Sequence, residues 1–257
     1  MTPTEEPLLP SRRIANDLRD SITSGALEPG EKLPSERELA QRYGAARNTA
    51  REAMRLLADE GLVDAQHGRG VFVRAKRQLF RFGSERYSRR LREETGLSPY
   101  RAELARQGMA ARVDCTSIER VDPPGRVRER LGLADDAQVI RRENWYYADE
   151  APVQLGITYI PVEIAGDTVL ANSANMGKGS LYARFEERGH AITRVREEIC
   201  ARMPTRDEVK GLSIPDGVPV IDVLHTGIDQ EGTPFEVTNF IMRADFAALD
   251  YNMPVED

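Results

Sequence analysis

The chain has 257 residues, of which 40% are hydrophobic and 30% charged, with two cysteines and a formal net charge of −6. This composition excludes a disulfide-stapled secreted domain and a disordered polyelectrolyte, and no apolar run is long enough to span a bilayer as a helix. The length suits about two domains, and the charge divides between them: residues 1–78 carry 13 basic and 12 acidic side chains, net +1, and the remainder carries 23 and 30, net −7, so the acidity belongs to the second part.

The first ten residues hold three prolines and little periodicity and are expected to form an arm. Glu5 and Glu6 stand where a secretory signal would be basic, so the chain is expected to be cytoplasmic, with no membrane partner. Ile14, Leu18 and Ile22 recur every fourth residue and predict a supporting helix over Ser11 to Ser24, ended at Gly25. Pro29-Gly30 marks a turn. Ser35 followed by Glu38 is a capping box, in which each side chain satisfies a backbone N–H orphaned at a helix start. Gly44 supplies a permissive backbone before a second helix from about Ala46 to Glu60, closed by Gly61. Along that helix Ala50, Ala53, Met54 and Leu57 share a buried face, while Arg47, Arg51 and Arg55 form an outward stripe. Leu62 to Ala65 and Val71 to Val73 are short strands around Gln66-His67-Gly68-Arg69-Gly70, whose glycines suit a hairpin tip.

Two helices, a tight turn, an arginine-bearing second helix and a basic hairpin, in that order, predict a winged helix-turn-helix. An arginine stripe that fits the major groove, beside a loop that touches phosphate, is what recognition of double-stranded DNA requires. Over about Ile14 to Val73 the chain resembles the GntR family of bacterial transcription regulators, through LPSERELA, RNTAREAMRLLADEGLV and HGRGVFV. The resemblance implies operator contacts at Arg37, Arg47, Thr49, Arg51, His67 and Gly68, to which the wing adds Arg69. Ala46 departs from the family, which has a serine before the first arginine, so a helix cap worth ~1 kcal/mol is expected to be missing. The DNA-binding domain is placed at residues 8–75.

Residues 69 to 92 hold nine basic side chains against one acid, Glu85, and residues 76–98 are expected to be a basic linker able to meet DNA nonspecifically. From residue 99 to about 250 the pattern changes. Strands are predicted at Arg112 to Val121, Val139 to Tyr147, Val153 to Ile160, Ile192 to Ala201, Val218 to Ile228 and Thr233 to Arg243. Asp149-Glu150 and Gln230-Glu231-Gly232 are hairpin-length links. Helices are predicted at Gly125 to Leu131, Val162 to Leu170, Ser180 to Arg188 and Thr205 to Leu212. Hairpins imply an antiparallel sheet with helices packed on it, an α+β arrangement.

Through PVQLGITYIP, GSLYARFEERGH and GTPFEVTNFIMRADF this half resembles the UTRA domain of the HutC subfamily of those regulators. The resemblance implies a chorismate-lyase-like fold, a small-molecule effector and a homodimer. In relatives that bind amino-sugar phosphates the positions matching Ser180, Tyr182 and Glu236 contact ligand. Asn144 and Tyr146 replace two arginines there, Gly156 a glutamate and Met242 a tyrosine. Arginine is the preferred bidentate partner of phosphate, so its loss implies a less anionic effector, unless Arg141 or Arg142 compensates through strand alternation. Gly177-Lys178-Gly179-Ser180 opens a helix whose free N–H groups favour an anion. Trp145, Tyr146 and Tyr147 add aromatic surface.

Cys115 and Cys200 are expected to be free buried thiols, and His67, His190 and His225 are too scattered to suggest a metal. No cofactor and no catalytic acid, base and nucleophile constellation is expected. The expected function is a transcription regulator, a repressor whose operator affinity is set by an effector. The alternative is an effector-independent or plasmid-control repressor with a degenerate pocket.

Overall fold

The computed structural model describes residues 9–66, 68–74 and 79–253. It divides into a first unit built from residues 1–77 and 214–218 and a second built from residues 78–213 and 219–257.

In the first unit, α1 (Pro10–Thr23) begins with proline in its first turn and buries Ile14, Ala15 and Leu18. The predicted capping box starts α2 (Glu36–Tyr43): the Glu38 N–H donates to Ser35 Oγ at 3.3 Å and the Ser35 N–H to Glu38 Oε2 at 2.7 Å. Gly44, at φ 60°, turns the chain into α3 (Arg47–Asp59). Ala46 occupies the N-cap of α3 with no side-chain bond, so the expected loss of a cap is seen directly. β1 (Val63–Gln66) and β2 (Gly70–Val73) pair antiparallel, and Lys32 bridges to Phe72 on the outer edge of β2. Leu33, Leu39, Ala50, Ala53, Met54, Leu57, Val63 and Val73 close one core with the inner face of α1. Leu39 and Leu57 are fully buried, each worth roughly 1.5–3 kcal/mol relative to exposure.

In the second unit a six-stranded antiparallel sheet has the order β4-β5-β6-β9-β8-β7. Its strands are β4 (Ala111–Val121), β5 (Val139–Ala148), β6 (Ala151–Pro161), β7 (Ile192–Arg202), β8 (Val220–Asp229) and β9 (Pro234–Arg243). Asp149 and Glu150, at φ 46° and 65°, form the two-residue turn between β5 and β6, the primed geometry whose twist matches a hairpin. Because side chains alternate, Ile140 and Ile160 pack with Leu170, Phe185 and Phe235 on one face, and Val139 and Tyr159 with Val127, Leu131 and Val237 on the other. The first of these faces carries α7 (Val162–Ala165), α8 (Val169–Asn172) and α9 (Ser180–Glu187), and the second carries α6 (Gly125–Leu131). α10 (Arg206–Leu212) starts with a second capping box, Thr205 with Glu208.

Three expectations need correction. The helix predicted over Val162 to Leu170 is two helices, broken at Gly166, whose φ is 51°. The segment predicted as a basic linker is folded from Leu79 onward: β3 (Leu79–Phe82) pairs in parallel with β10 (Ala247–Asp250), a short 3-10 turn covers Ser84–Tyr87, and α4 (Arg89–Thr95) and α5 (Pro99–Arg106) follow. Its arginines explain why. Arg81, Arg86 and Arg92 are buried and bonded to Glu197, Glu103 and Glu186, so they serve the fold of the second unit. Cys200 is exposed, because β7 is an edge strand with both faces largely open, and Cys115 is half-buried.

Candidate nucleic-acid interface and effector cavity

On α3 the spacing of three and four that buries Ala50, Ala53 and Leu57 leaves Arg47 and Arg51 outside, with side chains 67% and 60% exposed. Both answer to Glu36 at the start of α2. Arg51 Nε and Nη2 donate to its two carboxylate oxygens at 2.8 and 2.9 Å, and Arg47 Nη2 lies 3.7 Å from it. The hydrogen bonds from Arg51 hold the Glu36 carboxyl below its ordinary pKa. A bidentate pair fixes a guanidinium in one plane while leaving its outer edge free, which suits a group that must meet a base or phosphate in one orientation. Arg55 is instead tied along its own helix to Glu52 and Asp59. Thr49 is half-buried on the same helix and Arg37 is exposed on α2. Gly68, at φ 72°, and Arg69 form the exposed hairpin tip, with the Arg69 guanidinium 5.7 Å from the centre of the Phe72 ring. His67 lies outside the described residues.

The second unit encloses a cavity of about 260 Å³. Its floor is the sheet face that carries Ile140. Register places Asn144 opposite Gly156, Gly156 opposite Phe240, Tyr146 opposite Gln154, and Gln154 opposite Met242, so one face gathers the predicted sheet residues. Asn144, Tyr146, Ser180 and Tyr182 line the cavity. Gly156, Glu236 and Met242 do not. A Cβ on Gly156 would lie 2.9 Å from Tyr146 Cε2 and 3.2 Å from the Phe240 ring, so this glycine makes room for both rings. Met242 is buried with Val223 and Phe240. Glu236 lies beneath, fully buried, accepting hydrogen bonds from Tyr182 Oη at 3.1 Å and Thr238 Oγ1 at 2.7 Å. Of the three aromatic residues at 145–147 only Tyr146 faces the cavity: Trp145 is on the opposite face, against Gly211 of α10.

The cavity also gathers residues that the sequence reading did not assign. Arg142, two positions before Asn144, shares its face and lies in the floor, as strand alternation allowed. Arg86, Tyr87 and Tyr100 form part of the wall, and Thr158, Thr238 and Phe240 complete the floor. Tyr87 and Tyr182 rest on a buried charge cluster. The His225 ring is fully enclosed, with Nδ1 2.9 Å from Glu197 and Nε2 3.1 Å from Glu236. Arg81 and Tyr251 also bond to Glu197. Burial opposes the charged imidazole, but the two carboxylates outweigh it and raise the His225 pKa. Glu197 is likewise pushed below its ordinary value, burial being outweighed by His225 and Arg81. Glu197 and Glu236 thus meet the Arg81 guanidinium and the His225 ring in the protein interior.

Comparison with known proteins agrees with this division. The family model for "Bacterial regulatory proteins, gntR family" matches residues 10–73 and that for the UTRA domain matches residues 106–247. The chain is 27% identical over 234 residues to the HTH-type transcriptional repressor NagR of Bacillus subtilis, covering 91% of this chain and 90% of that protein. It is 25% identical over 233 residues to the HTH-type transcriptional regulator GgaR of Escherichia coli, covering 91% and 86%. The crystal structure of PhnF from Mycobacterium smegmatis shares the fold, at TM-score 0.60 and 23% identity, over 95% of this chain and 100% of that one. NagR and GgaR are transcription regulators and not enzymes. With a helix-turn-helix unit followed by a UTRA unit, the chain belongs to the GntR family of bacterial transcription regulators, in its HutC-type architecture.

Proposed function

We propose that the protein is a homodimeric repressor, acting in the cytoplasm, whose affinity for operator DNA is set by a small molecule bound in the cavity of the second unit. The observation that carries the DNA reading is the pair of exposed arginines on α3 aligned by one carboxylate of α2. In this reading α3 enters the major groove, Arg47 and Arg51 meet bases or anchor the helix, Thr49 supports them, and Arg37, His67, Gly68 and Arg69 hold phosphates. A two-fold dimer would read a pseudo-palindromic site, one α3 per half-site. The effector works only through its preference between the high- and low-affinity states of the protein. Ser180, Tyr182, Asn144 and Tyr146 would touch it directly, and Glu236, Gly156 and Met242 would shape the site from behind. An open cavity with polar groups converging on it weighs against the effector-independent alternative.

Fluorescence anisotropy with duplex DNA from the region upstream of the protein's own coding sequence tests the reading. Arg47→Ala is expected to cost ~1–3 kcal/mol of binding and to relax base preference. Unchanged affinity and unchanged preference would overturn the assignment of α3.

A further inference from the structure

The cavity is charged with one sign. Arg86, Arg101 and Arg142 line it, and among the described residues no aspartate or glutamate does. Arg142 is 2% exposed. Its Nη1 donates to the Leu170 carbonyl at 2.7 Å and, at 3.4 Å, to that of Val169. Its Nη2 donates to the Ser173 carbonyl at 2.8 Å and lies 3.7 Å from Cys115 Sγ. These are dipoles and a thiol, not a counter-ion. Burial pushes the guanidinium pKa down, with Cys115 and Tyr146 as the groups that oppose the shift. Arg86 is also buried, and its carboxylate partner Glu103, at 3.4 Å, is shared with the Phe82 N–H. Arg86 Nε and Tyr100 Oη, both in the lining, are buried with no hydrogen-bond partner among the described residues. Cations this deeply buried are normally paired, and buried donors are normally satisfied.

We infer that the cavity is built for a small organic anion, whose carboxylate or phosphate is held by Arg142, with Arg86 and Tyr100 as further donors. The inference deepens the effector reading and rests on it. It also reverses the expectation drawn from Asn144 and Tyr146. The positive charge has not been lost from the floor but stands two residues earlier on the same face of β5, at a position the family resemblance does not assign. Carbonyls of the α8 segment hold Nη1 and Nη2 in place, so the guanidinium charge is fixed at the cavity floor without a counter-ion among the described residues. The rest of the ligand meets Tyr87, Tyr146, Tyr182 and Phe240. A cavity of about 260 Å³ lies near the lower end of ligand pockets, ~300–1,000 Å³, so the body is compact, a ring or a short chain and not a long acyl tail.

Calorimetric titration of the full chain with inorganic phosphate, benzoate and uncharged benzyl alcohol at constant ionic strength tests this. Phosphate or benzoate is expected to bind saturably, one per chain, and Arg142→Gln to weaken that binding roughly tenfold or more. Asn144→Asp places a carboxylate on the same face while keeping the arginine and its carbonyl contacts. It is expected to weaken anion binding as strongly and to raise the melting temperature, a signature that simple damage to the fold does not give. Binding of phosphate alone would point to phosphate esters, and of benzoate alone to carboxylates. Benzyl alcohol bound as tightly as benzoate, with both variants unaffected, would overturn the anion while leaving the cavity as an effector site. Saturable binding of none of the three would overturn the anion assignment, and intact DNA binding in the same preparation would then favour the effector-independent repressor.

Discussion

Ala46 shows how much one residue decides at a helix start. The first turn of α3 is the turn that carries Arg47 and Thr49, and its N-cap has no side-chain bond. Ala46→Ser is expected to restore one and to stabilise the first unit by ~1 kcal/mol, read from urea unfolding of the full chain. No gain would show that the orphaned N–H groups are already well served by solvent. In the second unit Gly156 acts through space rather than conformation. Gly156→Ala is expected to cost ~1–3 kcal/mol, because Tyr146 and Phe240 must give way, and to alter whatever the cavity binds; wild-type stability would show that the rings shift freely. Residue-scale expectations drawn from periodicity held where the period was strict. Ser35 with Glu38, Gly44 and the buried face of α3 stand as predicted. The role of Glu36 was not legible, since a capping position and a partner for Arg51 look alike until α2 and α3 are packed. Arg142 was legible only as an alternative, since alternation fixes its face but not whether a carboxylate waits there.

At the scale of elements, the six-strand sheet was readable because each strand alternates or is apolar and each hairpin has its turn residues. The pairing of β3 with β10 was not. Four-residue strands from opposite ends of the second unit carry no local signal of one another, and a run of arginines looks like a solvated connector until its carboxylate partners are in place. The cluster at the centre of β8 makes the unit sensitive to pH from both sides. His225 faces Glu197 on β7, Glu236 on β9, Tyr87 from the 3-10 turn and Tyr182 from α9, with Arg81 of β3 bound to Glu197. Its raised pKa means that its contribution is complete below about 6.5 and is lost as pH rises through the folded value. The depressed pKa of Glu197 contributes above about 4.5 and is lost as pH falls through its own folded value. Thermal unfolding is therefore expected to show a fall in stability on the alkaline side that His225→Gln flattens; an unchanged alkaline limb would place the titration elsewhere. Glu197→Ala, which strands Arg81 and His225, is expected to cost roughly 3–5 kcal/mol in urea unfolding at neutral pH.

For the whole molecule, a net charge of −6 is compatible with DNA binding because it is unevenly distributed. The acidic excess lies in the residues after 78, and the exposed arginines of α3 and the hairpin lie before it. Binding is expected to weaken linearly in log salt, with a slope of about −0.9 per phosphate contact, and Arg37→Ala is expected to lower that slope by about one while leaving base preference intact. The measurement that tests the central claim most directly is selection of binding sites by the full chain from a random duplex library, run beside Arg47→Ala. The account predicts an enriched two-fold symmetric sequence in the wild type and a relaxed or absent one in the variant. No enrichment, or the same sequence enriched by both, would contradict it.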